Sequence, residues 1–192
     1  MKTALPIIAC TTVLKHVLIL LLLLHGICYC QDTASTLENQ VKAAYIYNFT
    51  KFVYWNTLPQ ISVSTPVTIA IIGDESIGPI LERFLKARGK VPPLLVKIIT
   101  TNDTNLTDCH IVYISKFATT KLPVLLKRID NNSILTVSDI SGFTAKGGMI
   151  GFYQDKGKIK IEINMTAVTN AKLQINAKLL EVARITWSGK IE

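Results

Sequence analysis

Two aspartates, a glycine pair and an adjacent cysteine and histidine are the residues of this chain whose types and spacing could do chemistry. Asp74 closes "VTIAIIGD" and Asp139 closes "SILTVSD". Each follows a β-branched run, so both carboxylates stand at the carboxyl ends of expected strands, the edge where α/β sheets usually bind ligands. Together they could hold a metal or act as acid and base. An aspartate after a strand more often caps the next turn or helix, and that plainer reading is preferred. Asp108-Cys109-His110 puts a thiol beside an imidazole. Neighbours on a strand point to opposite faces, so these two side chains are not expected to meet.

The glycine- and lysine-rich block "GFTAKGGMIGFYQDKGKIKIEIN", residues 142–164, raises phosphate binding. Gly142 and Gly147 have the spacing that opens a P-loop, yet Gly148-Met149 occupies the place of the required Lys-Ser/Thr, and a strand pattern follows where a helix is needed. The preferred reading is that Gly147-Gly148 turn the chain tightly into an edge hairpin whose solvated face carries Lys156, Lys158 and Lys160. Patterns for a serine-hydrolase elbow, a zinc protease or an EF-hand are absent from the sequence. No catalytic, cofactor-binding or metal-binding residue is assigned.

The elements that must position these residues follow from periodicity. Ser35-Thr36-Leu37-Glu38 has capping-box spacing, and Leu37, Val41, Ala44, Tyr45, Asn48 and Phe52 recur at helical spacing, predicting a helix up to Trp55 that ends before Leu58-Pro59. Its aromatic band "AAYIYNFTKFVYW" is too dense for one face: Tyr45, Phe49, Phe52 and Trp55 suit a core, while Tyr47 and Tyr54 suit an interface. Strands are expected over 67–72, 94–100, 109–115 and 133–139, with helices over 77–90 and 119–130 between them. Alternating strands and helices imply parallel pairing. From Gly147 onward Ile159, Ile161 and Ile163 alternate with polar residues around a glycine-bearing turn, which predicts an antiparallel hairpin. Met165 to Trp187 reads as helical, with a phase slip at "KLQIN" that suggests two short helices. The fold class expected is α/β: a three-layer sandwich with a mostly parallel sheet, a C-terminal antiparallel hairpin, and helices on both faces.

Composition sets the compartment. Lys2 and Lys15 precede the apolar run Val17–Leu24 and the small-residue pattern Cys28-Tyr29-Cys30, which reads as a secretory signal peptide over residues 1–30. The run between Lys15-His16 and Gln31-Asp32 is shorter than the roughly 20 apolar residues a span needs. No later run in the mature chain, residues 31–192, reaches that length, and those residues are expected to form one domain. Cleavage would leave Cys109 and His110 as the mature cysteine and histidine, an inventory from which neither an intramolecular disulfide nor a histidine-cysteine zinc site can be assembled. The formal net charge is +8 and stays basic after Lys2 and Lys15 are lost, favouring acidic partners or anionic lipid. Export argues against nucleic acid. Of the four Asn-x-Ser/Thr sequons, Asn48, Asn105, Asn131 and Asn164, the first and last fall in expected helix and strand-end positions.

A leader, then "VKAAYIYNFTKFVYW", "VTIAIIGD", "DCHIVYIS", "LTVSD", "GFTAKGGMIGF", "IKIEIN" and "AKLLEVARI" in that order resemble the small exported YfiR-like proteins of bacteria. The resemblance covers nearly the whole mature chain. It implies a periplasmic α/β protein without a catalytic centre, able to form a homodimer, that restrains an inner-membrane diguanylate cyclase through the cyclase's periplasmic sensor region, lowering cyclic-di-GMP and biofilm formation. The surface expected to meet the partner combines the first helix and the strand-end loops: Tyr47, Tyr54, Asp74, Glu75, Asp139, Phe143, Gly147 and Gly148. An alternative from another class is a periplasmic module that holds a small solute at the carboxyl edge of the sheet. A hydrolase built on Asp74 and Asp139 is the least favoured.

Overall fold

A computed structural model describes residues 30–55, 67–87, 94–98, 106–130 and 132–187. The chain divides into two compact units, Met1–Leu37 and Glu38–Glu192, and the second carries the architecture described here. The leader reading, the stop at Leu58-Pro59 and the sequons at Asn105 and Asn131 lie outside the described residues, apart from Cys30 at the leader's end. Helix α1 runs Cys30–Phe52 and is followed at once by strand β1, Val53–Trp55. Then come β2 (Val67–Ile72), α2 (Ile77–Ala87), β3 (Leu94–Ile98), β4 (Ile111–Ile114), a 3₁₀ turn (Lys116–Lys121), α3 (Leu122–Ile129) and β5 (Leu135–Ser138). The chain closes with β6 (Ile150–Asp155), β7 (Lys158–Asn164), α4 (Met165–Asn170), β8 (Leu173–Ile175), α5 (Ala177–Leu180) and β9 (Arg184–Thr186).

Seven strands form one mixed sheet in the order β3-β2-β4-β5-β6-β7-β9. Pairing is parallel from β3 to β6, antiparallel between β6 and β7, and parallel again from β7 to β9. Strand periodicity sorts the side chains onto two faces. Ile69, Ile71, Ile111, Tyr113, Leu135 and Val137 enter one buried cluster with Ile46, Phe49 and Leu81 from α1 and α2. Ala70, Ile72, Val112 and Ile114 enter the other with Leu122, Leu125 and Ile129 from α3. Helices on both faces of a mostly parallel sheet, with one hairpin, are the α/β arrangement expected from the sequence.

Several boundaries differ for physical reasons. Helix α1 begins at Cys30, so Ser35 and Glu38 lie inside it instead of capping it. It ends at Phe52 because Val53–Trp55 pair with Leu173–Ile175 in a small separate sheet, and the Asn176 amide caps the freed Phe52 carbonyl at 2.8 Å. Trp55 is therefore a strand residue. The "KLQIN" phase slip is this β8 strand, and Arg184–Thr186, expected to be helical, is the sheet-edge strand β9. The hairpin is consequently internal, covered by β9, and not at the edge. Its two-residue turn places Lys156 and Gly157 at φ of 48° and 73°, the left-handed pair that matches strand twist. The buried face of α1 is also displaced: Lys42, Ala43, Ile46, Tyr47 and Phe49 point inward, while Val41, Ala44 and Asn48 are half-exposed. Apolar and polar residues are mixed around this helix without a dominant stripe, so periodicity has no face to select.

Candidate functional site

Lys42 is the residue around which the site is built. Its side chain is 3 % exposed, so an ammonium on a four-carbon stem has been taken out of water, which is costly without opposite charge. Two carboxylates supply that charge. Glu38, one turn earlier on α1, is 2.5 Å from the Lys42 Nζ, and Asp139, at the carboxyl end of β5, is 2.7 Å away. Burial alone would lower the lysine's pKa, but its hydrogen bonds to Asp139 and Glu38 and their charges outweigh burial and hold it above the ordinary 10.5. Asp139 uses its other oxygen to accept the Lys116 amide at 2.6 Å, fastening the first residue of the 3₁₀ turn. The exit of β5 is pinned as well, since Ser138 Oγ donates to the Ile114 carbonyl and accepts from the Ile140 amide. One buried cation thus joins α1, β5 and the 3₁₀ turn.

Next to this cluster the Tyr113 hydroxyl is buried and makes no hydrogen bond among the described residues. Burial, and then the negative charge of Asp139, push its pKa upward. The Tyr113 ring belongs to an aromatic group with Phe152, Phe49 and Tyr45, whose centroids lie 5.8 to 6.4 Å apart in successive contacts.

The segment after Asp139 is a folded plug. Phe143 is 1 % exposed and its ring lies flat over Gly148, where a Cβ would come within 2.1 to 2.4 Å of ring atoms. The plug consumes its own amides: Phe143 N–H donates to the Ile140 carbonyl, Lys146 N–H to Gly142, Gly147 N–H to Thr144, Gly148 N–H to Phe143, and Met149 N–H to Thr136 Oγ1. A phosphate cradle needs those amides unspent, so the glycines here serve the turn, Gly142 and Gly147 having φ of 66° and 96°. Thr144 fastens the plug to the hairpin by donating to Glu162 and by accepting from Asn164 Nδ2 at 3.0 Å. Asn164, a sequon residue by pattern, is fully buried and also caps α4.

β5 pairs with β6 only through Val137 and Ser138, after which β6 continues alongside β7 alone. The divergence opens a cleft of about 390 Å³ whose walls include Lys42, Asp139, Phe143, Phe152, Glu162 and Arg184. On the far wall Arg184 pairs with Glu162 and lies 4.2 Å above the Tyr153 ring. Cationic and anionic side chains are balanced across it.

Among the residues singled out from sequence, Asp139 and Phe143 line this cleft. Asp74 is occupied locally, accepting the Ser76 amide at 2.9 Å and the Ser76 hydroxyl at 2.6 Å, while Glu75 is exposed beside it. Asp74 and Asp139 are thus spent on separate tasks. Tyr54 is 49 % exposed and accepts from Asn176, whereas Tyr47, expected at an interface, is 1 % exposed and part of the core, as is Phe143. Tyr47 stands one turn after Ala43 and next to Ile46, both fully buried, on the face that α1 turns to the sheet. Gly147 is exposed and Gly148 buried. Sequence reasoning missed Lys42, Glu162 and Arg184. A single lysine within "VKAAYIY" was the available signal for the first of them.

Cys109 and His110 do point to opposite faces. Cys109 packs in the α3-side core, and His110 packs edge-on against Trp55 with ring centroids 6.0 Å apart. His110 Nδ1 accepts the Thr68 amide, and burial lowers the ring's pKa. Among the described residues no group of three or more His, Cys, Asp or Glu side chains could hold a metal, and no helix is long and apolar enough to cross a membrane.

Fold and site together define a three-layer α/β module organised around a charge cluster at the carboxyl edge of its sheet. The chain belongs to the YfiR/HmsC-like family, whose model matches residues 39–184, a span that holds the whole cleft apart from Glu38. That family is one of periplasmic regulators of diguanylate cyclase signalling, regulatory and not catalytic. No curated protein matches the chain. Among solved structures, the ABC domain in complex with L-Trp from Streptococcus pneumonia aligns at 11 % identity and a TM-score of 0.47 over 62 % of this chain, which spans 55 % of that one.

Proposed function

We propose that this chain is an exported, non-enzymatic repressor that binds the periplasmic sensor region of an inner-membrane diguanylate cyclase and thereby lowers cyclic-di-GMP and biofilm formation. The observation that carries the reading is the use made of the carboxyl-edge charges. Asp139, Lys42 and Glu38 neutralise one another and fix three elements, which suits a rigid, shaped recognition surface better than proton transfer. The partner surface is the rim of the cleft, with exposed Ser141 and Gln154 on it, and the neighbouring Asp74-Glu75 turn. Ser141→Arg together with Gln154→Arg adds bulk and charge there at the cost of one exposed 3.3 Å hydrogen bond, from Gln154 Nε2 to Glu38, and leaves both Lys42 ion pairs in place. In the native host, intracellular cyclic-di-GMP should rise toward the deletion level while the variant protein accumulates normally. Full repression by a stably accumulated variant would show that the cleft is not the contact surface.

A second reading, a solute-binding module, is favoured by one feature, the size of the cleft, which is within the range of small-ligand sites. A ligand at 100 times its dissociation constant would stabilise the protein by about 2.7 kcal/mol. A thermal-shift panel of neutral and zwitterionic solutes distinguishes the two, and a flat panel eliminates this second reading.

A further inference from the structure

The face of the sheet opposite α1 carries a feature that lies outside the cleft except at Lys116, which lines it. Between Cys109 and Ile129 the chain has four basic residues, Lys116, Lys121, Lys127 and Arg128, and no acidic one. All four are exposed, as are Phe117 at 73 % and Val124 at 55 %. They belong to the 3₁₀ turn and α3, whose inner side is firmly seated through Ala118, Leu122, Leu125 and Ile129. Lys127 and Arg128 follow Val124 by three and four residues, which puts them beside it on the outward face. Lys116 Nζ lies 5.5 Å from the centre of the Phe117 ring. The outward face is therefore predominantly cationic, with isolated apolar side chains among the charges and the exposed Asp130 at its carboxyl end.

We propose that the 3₁₀ turn and α3 dock this protein on an anionic phospholipid surface, with Lys121, Lys127 and Arg128 meeting the headgroups and Phe117 and Val124 entering the interface. Charge complementarity selects the occupant. Protein interfaces are depleted in lysine, and three of these four cations are lysines. Long basic side chains flanking a shallow apolar insertion are what lipid-surface segments use. The basic net charge, +8 over the full sequence and about +6 once Lys2 and Lys15 are lost, adds a longer-range attraction of the same sign. Lys121, Lys127 and Arg128 do not line the cleft, so docking through them leaves it open and serves any partner the cleft meets.

The test uses the exported protein as the cell processes it, in co-sedimentation with phosphatidylglycerol-containing vesicles and with pure phosphatidylcholine vesicles. Binding is expected to the first set only and to weaken with added salt. The triple variant Lys121→Glu, Lys127→Glu, Arg128→Glu should reduce it by roughly two orders of magnitude. Phe117→Ser with Val124→Ser should reduce it by roughly tenfold or more. Thermal melts should match the parent, since none of these side chains is buried. Binding to neither vesicle overturns the proposal and assigns the face to an acidic protein. Equal binding to both vesicles, or binding indifferent to charge reversal, overturns it as well. Repression in the host measured with the Ser141 and Gln154 variants reads the cleft alone, so the two proposals can fail separately.

Discussion

The carboxyl ends of β2 and β5 look alike in sequence, a β-branched run closed by aspartate, and the folded chain treats them in opposite ways. Asp74 is satisfied two residues away by Ser76. Asp139 is satisfied by a lysine 97 positions earlier and by an amide 23 positions earlier. The first is a turn that its own tetrapeptide could form. The second exists only after α1, β5 and the 3₁₀ turn have been assembled, and so it reports the tertiary fold. Similar local chemistry was given a local task at one strand end and a long-range task at the other, two strands away in the sheet.

Substitution sharpens this contrast most where the charge is buried. Lys42→Met leaves the Asp139 carboxylate, 8 % exposed, without its cation, and should cost about 3–5 kcal/mol in urea unfolding. Asp139→Ala should fall in the same range, whereas Asp74→Ala should cost about 1 kcal/mol, the loss of exposed turn hydrogen bonds. Equal costs for the two aspartates would break the comparison.

A smaller effect separates the two adjacent glycines of the plug. Gly148→Ala drives a methyl into the Phe143 ring and should destabilise by about 1–3 kcal/mol. Gly147→Ala meets no atom within 4 Å and pays only for its φ of 96°, about 1 kcal/mol. If Phe143→Ala fails to relieve the Gly148→Ala defect in a double-mutant cycle, packing against the ring is not its cause.

The mildest test is pH. The folded-state pKa of Lys42 is raised above 10.5, so its contribution to stability is complete below 10.5 and is lost as pH rises through the raised value. Thermal melts should show this alkaline loss in the parent and not in Lys42→Met. A parallel decline in both would mean that other groups govern the alkaline limb.

Much of the fold was legible because it is periodic. The β-branched runs gave β2, β4 and β5, the amphipathic spacing of Ile77, Ile80 and Leu81 gave α2, and the alternation of Ile159, Ile161 and Ile163 gave the hairpin. Where periodicity was weak, expectation failed. The face of α1 was misplaced because apolar and polar residues are mixed around it without a dominant stripe, and the short strands β1, β8 and β9 were read as helix because three residues carry no period. The order of motifs also sufficed to place the chain in its family.

The sequence by itself determined the α/β class, the antiparallel hairpin, the failure of the glycine block to match a P-loop and the separation of Cys109 from His110, because each depends on neighbours in the chain. Only the tertiary structure decided that Lys42 is internal, that Asp139 and not Asp74 faces the cleft, and that Phe143 and Tyr47 are core. Those outcomes depend on which distant charges and rings share a space. That sharing is settled when a buried ion must find its counter-ion, and no local pattern encodes the meeting.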